Sequence, residues 1–196
     1  MKIIAATNNN GKIKEIKAIL GELGFEVVSQ KEAGINIEVK ETGKTFKENA
    51  LLKAMAAYKI SHTPAIADDS GLCVDFLNGA PGVYSARYAG ENASDADRIK
   101  KLLHEMNGVE ECKRTAHFTT AAVLVINENE YYCSEGSVYG KILTSTAGNG
   151  GFGYDPVFYC DELKKTFAEA VPEEKNKVSH RFRAISKLKE ILKTNL

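Results

Sequence analysis

Several side chains in this sequence have types and spacings suited to handling a phosphate ester. Glu41 stands just before Thr42-Gly43, and Asp68-Asp69 stand just before Ser70-Gly71. Carboxylates beside glycine suit Mg²⁺, which takes one or two carboxylates and completes its shell with water and substrate phosphates. Neighbours on a strand point to opposite faces, so Asp68 and Asp69 cannot both face one ligand. One is expected to face the ligand and the other to be hydrogen-bonded for structure. Asp, Ser and Gly are also the usual turn residues, and taken alone DDSG reads more simply as a turn. Asn49 and Lys53 are four apart, which puts them on one face of a helix, where Lys53 could reach a phosphate. Glu48, three residues after Thr45, reads as the capping partner of that threonine rather than as a metal ligand.

Thr7-Asn8-Asn9-Asn10-Gly11-Lys12 lies between a short apolar run and a helical pattern. The first turn of a helix has unpaired N–H groups and a positive dipole end, so the place favours anions. Gly11 permits close approach, Thr7 and the asparagines add neutral donors, and Lys12 adds charge. The stretch is not a Walker A loop, because it lacks G-x-x-x-x-G-K-[ST]. Asn-rich turns also cap helices, and the residues alone leave both readings open.

Residues 148–156 read GNGGFGYDP and contain G-x-G-x-x-G. A dinucleotide fingerprint needs its glycines to open a helix directly after a strand. Here Pro156 pushes Asp155 to an extended conformation and Val157-Phe158-Tyr159 continues as strand, so the fingerprint is rejected. The residues suit instead a flexible loop that carries Phe152, Tyr154 and Asp155 to a base. Ser179-His180-Arg181 opens a final helix, with Lys175 just before it. Cations there oppose the helix dipole, which makes sense if an anion arrives or if the pair reads a base. Ordinary surface charge is the alternative.

The elements that must hold these groups follow from periodicity. Lys2–Ala6 reads as a buried strand, a helix runs from Gly11 toward a cap at Gly24, and Phe25–Ser29 reads as a second strand. Thr45 caps a helix that ends near Ile60, and Leu72–Val74 is a short apolar run. Ser94 caps a helix stopped by Gly108, with Ile99, Leu102, Leu103 and Met106 on its core face. Thr115–Ile126 and Tyr131–Tyr139 form a hairpin around Asn127–Glu130. The final helix, from near Ser179, has Ile185, Leu188 and Leu192 as its stripe. This order predicts a mixed α/β fold with one long sheet and a cleft.

Composition limits the partners. Lys plus Arg equals Asp plus Glu at 26 each, so no broad basic surface for nucleic acid or membrane is expected. No apolar run approaches the ~20 residues of a membrane span, and the N-terminus lacks a signal-like core, which predicts a soluble intracellular protein. Cys73, Cys112, Cys133 and Cys160 are scattered, with no zinc spacing, and are expected to be reduced, buried or half-buried thiols.

Taken in order, ATNNNGK, ETGKTFKENALLKA, ADDSGL, GAPGVYSARYAG, GGFGYDPVF and KNKVSHR resemble the inosine triphosphate pyrophosphatase family, the non-standard purine nucleoside triphosphate pyrophosphatases. The resemblance runs from residue 3 to the last helix. It implies a single pyrophosphatase domain over 1–196 with two lobes, a long curved mixed sheet flanked by helices, a central cleft, a homodimer and a cytoplasmic setting. It implies Mg²⁺-dependent hydrolysis of ITP, dITP and XTP to the monophosphate and pyrophosphate. By motif, Thr7, Asn8, Asn9, Asn10, Gly11, Lys12 and Lys53 would hold the triphosphate. Glu41 and Asp69 would bind Mg²⁺, and Asp69 would accept the proton of the attacking water. Ser70 would contact the nucleotide, Phe152, Gly153, Tyr154 and Asp155 would cover base and sugar, and Lys175, His180 and Arg181 would read the purine. Position 8 is Asn where many relatives have Gly. A nucleotide-binding module without catalysis would not need the metal carboxylates, and a pyrimidine-directed pyrophosphatase would differ in substrate preference.

Overall fold

The computed structural model describes residues 1–195. Its strands are β1 (Lys2–Ala5), β2 (Glu26–Ser29), β3 (Ala65–Val74), β4 (Thr115–Asn127), β5 (Glu130–Ile142), β6 (Phe158–Cys160) and β7 (Lys165–Thr166). The helices are α1 (Asn10–Gly21), α2 (Phe46–Ser61), α3 (Asp95–Glu105), α4 (Pro172–Val178) and α5 (His180–Asn195). One seven-stranded sheet runs in the order β2-β1-β3-β4-β5-β6-β7. It is mixed: β1 pairs parallel with β2 and β3, whereas β5–β6 and β6–β7 are antiparallel. This is the mixed α/β class expected from the sequence.

The chain divides into two compact units. Among the described residues, the first comprises 1–69, 120–136 and 180–195. One of its clusters packs Ile16 and Leu20 of α1, Ile185 and Leu188 of α5, and Ile3 and Leu124 of the sheet. Another packs Ala50, Ala54 and Ala57 of α2 on Ile4, Ala67 and Val123. Small alanines let α2 lie close to the sheet, and the capping box fixes where that helix begins. Glu48 N donates to Thr45 Oγ1 at 3.1 Å, and Thr45 N donates back to Glu48 Oε2 at 3.3 Å.

The second unit comprises residues 70–119 and 137–179. Its core joins Ile99, Leu102 and Met106 of α3 to Phe118, Phe158 and Phe167, with ring centroids 4.7–6.0 Å apart. Ser94 caps α3 as expected, with Asp97 closing the box.

Four features depart from the sequence reading. DDSG is not a turn: β3 runs unbroken through it from Ala65 to Val74, and most of the strand is buried. Strand β5 continues past Tyr139 to Ile142. A short helix, α4, precedes the final one; its seven residues are too few to show a helical period. Proline at its first turn was the available signal. All four cysteines are free, but Cys112 is exposed rather than buried or half-buried.

Candidate functional site

Strand alternation in β3 sorts the two aspartates. Asp69 faces α2, where Asn49 Nδ2 donates to its Oδ2 at 3.0 Å. Lys53, one turn on, places its Nζ 2.8 Å from Glu41 Oε1 and 3.4 Å from Asp69 Oδ1. The expected shared face of Asn49 and Lys53 therefore closes on one carboxylate. Asn49 is fully buried, and its Oδ1 accepts the Gly43 N–H at 2.8 Å, which ties the Glu41 loop to the same point. Burial raises the Asp69 pKa; Lys53 opposes the shift, while Glu41 adds to it. Burial alone would lower the Lys53 pKa, but Asp69 and Glu41 outweigh it and leave the ammonium raised.

Asp68 points the other way and is 1 % exposed. Its Oδ2 lies 3.0 Å from Lys12 Nζ and 3.0 Å from Arg181 Nε, and Arg181 Nη1 is 2.5 Å from Glu15 Oε2. Burial would raise the Asp68 pKa, but Lys12 and Arg181 more than reverse that and hold its carboxyl well below the usual range. Lys12 is pulled down by burial against the opposing pull of Asp68. The cation at the start of α5 thus meets anions supplied by the protein itself, Asp68 and Glu15. Both aspartates are hydrogen-bonded, and Asp68 is the more deeply buried of the two, held by two cations.

In the loop before α1, the helix-capping reading holds. Asn9 is the N-cap: its Oδ1 accepts from Gly11 N at 2.9 Å and Lys12 N at 3.2 Å, and its own N–H donates to Thr7 Oγ1 at 3.2 Å. Yet Thr7, Asn8, Asn9 and Lys12 also line a hollow of about 220 Å³ within the first unit, together with Gln30, Glu41 and Lys53. Segments distant in sequence converge there with two ammonium groups and two carboxylates, Glu38 and Glu41. Asn10 and Gly11 do not line it, and Asp69 adjoins it through Lys53.

In the second unit, the glycine-rich run is followed by turns and then β6, with no helix, as the rejection of the fingerprint requires. The loop is tethered rather than flexible. Gly150 N donates to Ala168 O at 3.0 Å, Phe152 N to Asp155 Oδ2 at 2.8 Å, and Gly153 N to Asp95 Oδ2 at 2.7 Å. Gly148 has φ +82°, and a Cβ there would meet the Ala168 carbonyl carbon at 2.5 Å; Gly151 has φ +75°, and a Cβ there would strike the Asp155 carboxylate. The glycines therefore serve close approach. Tyr154 is 4 % exposed, and its hydroxyl donates to Ser85 O at 2.9 Å. Asp155 is 3 % exposed and pairs with Lys175 Nζ at 2.6 Å. Lys175 also lies over the Phe152 ring, 4.5 Å from its centroid. Of the aromatics expected at a base, Phe152 is exposed and Tyr154 is packed inward.

Ser70 is half-buried in β3, and His180 is buried at the start of α5. Sequence reasoning gave no role to Glu15 or Gln30 and left Asn49 beside Lys53 without a partner. Only Asn49 carried a signal, its helical spacing from Lys53.

A family model, the Ham1 family, matches residues 3–191. The chain is 50 % identical to the dITP/XTP pyrophosphatase of Clostridium perfringens over 98 % of its own length and 97 % of that protein. It is 49 % identical to the dITP/XTP pyrophosphatase of Bacillus subtilis, covering 96 % of each. Among solved structures, the Staphylococcus aureus Ham1 protein superposes with a TM-score of 0.89 at 42 % identity over all of both chains. A Coxiella burnetii HAM1 protein gives 0.90 at 41 % identity over 99 % of each.

Proposed function

We propose, from the premise that the chain belongs to the Ham1 family, that it hydrolyses the non-standard purine triphosphates dITP, XTP and ITP to the monophosphate and pyrophosphate. The observation that carries this reading at the level of residues is the hollow in which Lys12 and Lys53 meet Glu41 and the Thr7–Asn9 loop. Two ammonium groups suit a polyphosphate, and the Glu38 and Glu41 carboxylates beside them would repel it unless a divalent cation intervenes.

The donor set fits Mg²⁺. Glu41 and Asp69 both contact one ammonium group, so the two carboxylates share a centre. Among the described residues no group of three or more His, Cys, Asp or Glu could hold a metal by itself. Two carboxylates plus substrate oxygens and water are what Mg²⁺ takes. Glu41 and Asp69 would hold it, and when bound it would withdraw charge from the phosphate oxygens.

The remaining work belongs to the protein. Lys12, Lys53, Thr7, Asn8 and Asn9 hold the triphosphate, with Asn10 and Gly11 supplying backbone at the helix start. Asp69 takes a proton from the water that attacks the α-phosphorus. Asn49 positions Asp69 while Lys53 neutralises charge on the departing pyrophosphate. No Ser or Cys nucleophile is required. Ser70, Phe152, Gly153, Tyr154, Asp155, Lys175, His180 and Arg181 serve the nucleoside end. Given their partners, Tyr154, Asp155 and Arg181 act there by shaping the surfaces that Phe152, Lys175 and His180 present. A purine 6-oxo group accepts hydrogen bonds, whereas adenine's amino group donates, so cationic donors favour hypoxanthine and xanthine.

The protein acts as one pyrophosphatase domain and as a cytoplasmic homodimer in this reading. Among the described residues no helix is long and apolar enough to cross a membrane. A panel of dITP, XTP, ITP, GTP and dUTP with Mg²⁺, read as pyrophosphate release, tests the assignment. Preference for the first three supports it; preference for dUTP or GTP overturns it.

A further inference from the structure

Gln30 has no part in the chemistry above, yet it is 5 % exposed and lines the same hollow as Lys12 and Lys53. We propose that Gln30 is a positioning residue that sets the Asn8 carboxamide with its N–H₂ end toward the phosphate oxygens bound in that hollow.

The argument is one of donors and acceptors. Gln30 follows β2, and its backbone is fixed at both ends: its N–H donates to Ala5 O at 3.1 Å, and its C=O accepts from Ile35 N at 2.8 Å. One end of its side-chain amide lies 3.3 Å from Ile37 O and 2.6 Å from the Asn8 side chain. A peptide carbonyl only accepts, so the Gln30 end facing Ile37 O must be N–H₂. An N–H₂ group only donates, so the Asn8 atom it meets must be Oδ1. The Asn8 amide is thereby oriented, and its Nδ2 is the end left over. Among the described residues Nδ2 has no protein acceptor.

The orientation matters because Glu38 and Glu41 also line this hollow. An Asn8 oxygen aimed into it would add a third acceptor that repels phosphate, whereas an N–H₂ adds a donor beside the two ammonium groups. The Asn-rich loop thus divides its labour: Asn9 caps α1, and Asn8, held by Gln30, offers its donors to a ligand.

This inference rests on the reading of the hollow as a polyphosphate cradle, and the test separates the two. Gln30→Met, Asn8→Ala and the double variant are assayed for dITP turnover, and for binding of inorganic pyrophosphate with Mg²⁺ by calorimetry. A donor to phosphate that acts equally in ground and transition states raises KM and leaves kcat nearly unchanged. Each single variant is expected to raise KM about tenfold, the scale of one hydrogen bond to a charged group. The double variant is expected to be no worse than Asn8→Ala, because Gln30 acts through Asn8. Full additivity would show that Gln30 acts by some other route and would overturn the proposal. An unchanged KM in Asn8→Ala, an exposed site whose replacement leaves the core intact, would overturn it even if Gln30→Met failed to fold. A wild-type protein without dITP turnover would sink the functional reading, and pyrophosphate affinity in the same variants would still decide this inference.

Discussion

Replacing Asp68 by Asn tests the buried charge network most severely. The carboxylate is 1 % exposed, and its Oδ2 serves both Lys12 and Arg181 at 3.0 Å. Two hydrogen bonds to charged groups are worth roughly 1.5–3 kcal/mol each, and breaking a buried ion pair costs about 3–5 kcal/mol. Arg181 keeps Glu15 as a partner, and the Lys12 side chain retains 16 % exposure and so can regain some water. The loss should therefore fall at the low end, about 3 kcal/mol, or a Tm lower by roughly 6–12 °C for a chain of this size. Urea denaturation at neutral pH, supported by calorimetry, measures it. As a control, Glu110→Gln removes an ion pair to Lys113 in which both side chains are more than 60 % exposed. Its effect should be at most about 0.5 kcal/mol. A loss below about 1 kcal/mol for Asp68→Asn would refute the claim that this carboxylate holds two buried cations.

Lys175→Met should cost about 3 kcal/mol in the same assay, because it leaves the Asp155 side chain, 4 % exposed, without its cation. An unchanged denaturation midpoint would show the pair to be dispensable. Gly148→Ala should destabilise more than Gly153→Ala: both have positive φ, but only at Gly148 does a Cβ meet the Ala168 backbone. Equal losses of roughly 1 kcal/mol would mean that the loop yields freely. Glu32 is held down to about 2, first by the Ser29 backbone N–H and then by Lys17. A lowered carboxylate adds stability above its unfolded pKa, and that stability is lost as pH falls through the folded value. Glu32→Gln should therefore flatten the acid loss of stability between about 4.5 and 2. A carboxyl resonance that titrates near 4.5 instead would contradict the assignment.

Local signals in the sequence were read correctly where the physics is local. The Thr45–Glu48 box marks the start of α2, Ser94 marks α3, and Pro156 excludes a pyrophosphate-binding helix after the glycines. DDSG misled because its residues favour turns unless distant groups satisfy them. Asp68 finds Lys12 56 residues away and Arg181 113 residues away, and no pattern near Asp68 announces either. The same limit hid the inward packing of Tyr154 and Asp155, since an aromatic and an acid in a loop look alike whether they face a ligand or a core. Period-two alternation did predict that the two aspartates would part, but it did not say which; only the family resemblance singled out Asp69.

Pyrophosphate release from dITP by the wild-type protein and by Asp69→Asn, at saturating Mg²⁺, tests the central claim most directly. The account predicts pyrophosphate and dIMP from the wild type, and loss of turnover in the variant while nucleotide still binds. Release of orthophosphate by the wild type, or retained turnover in Asp69→Asn, would contradict it.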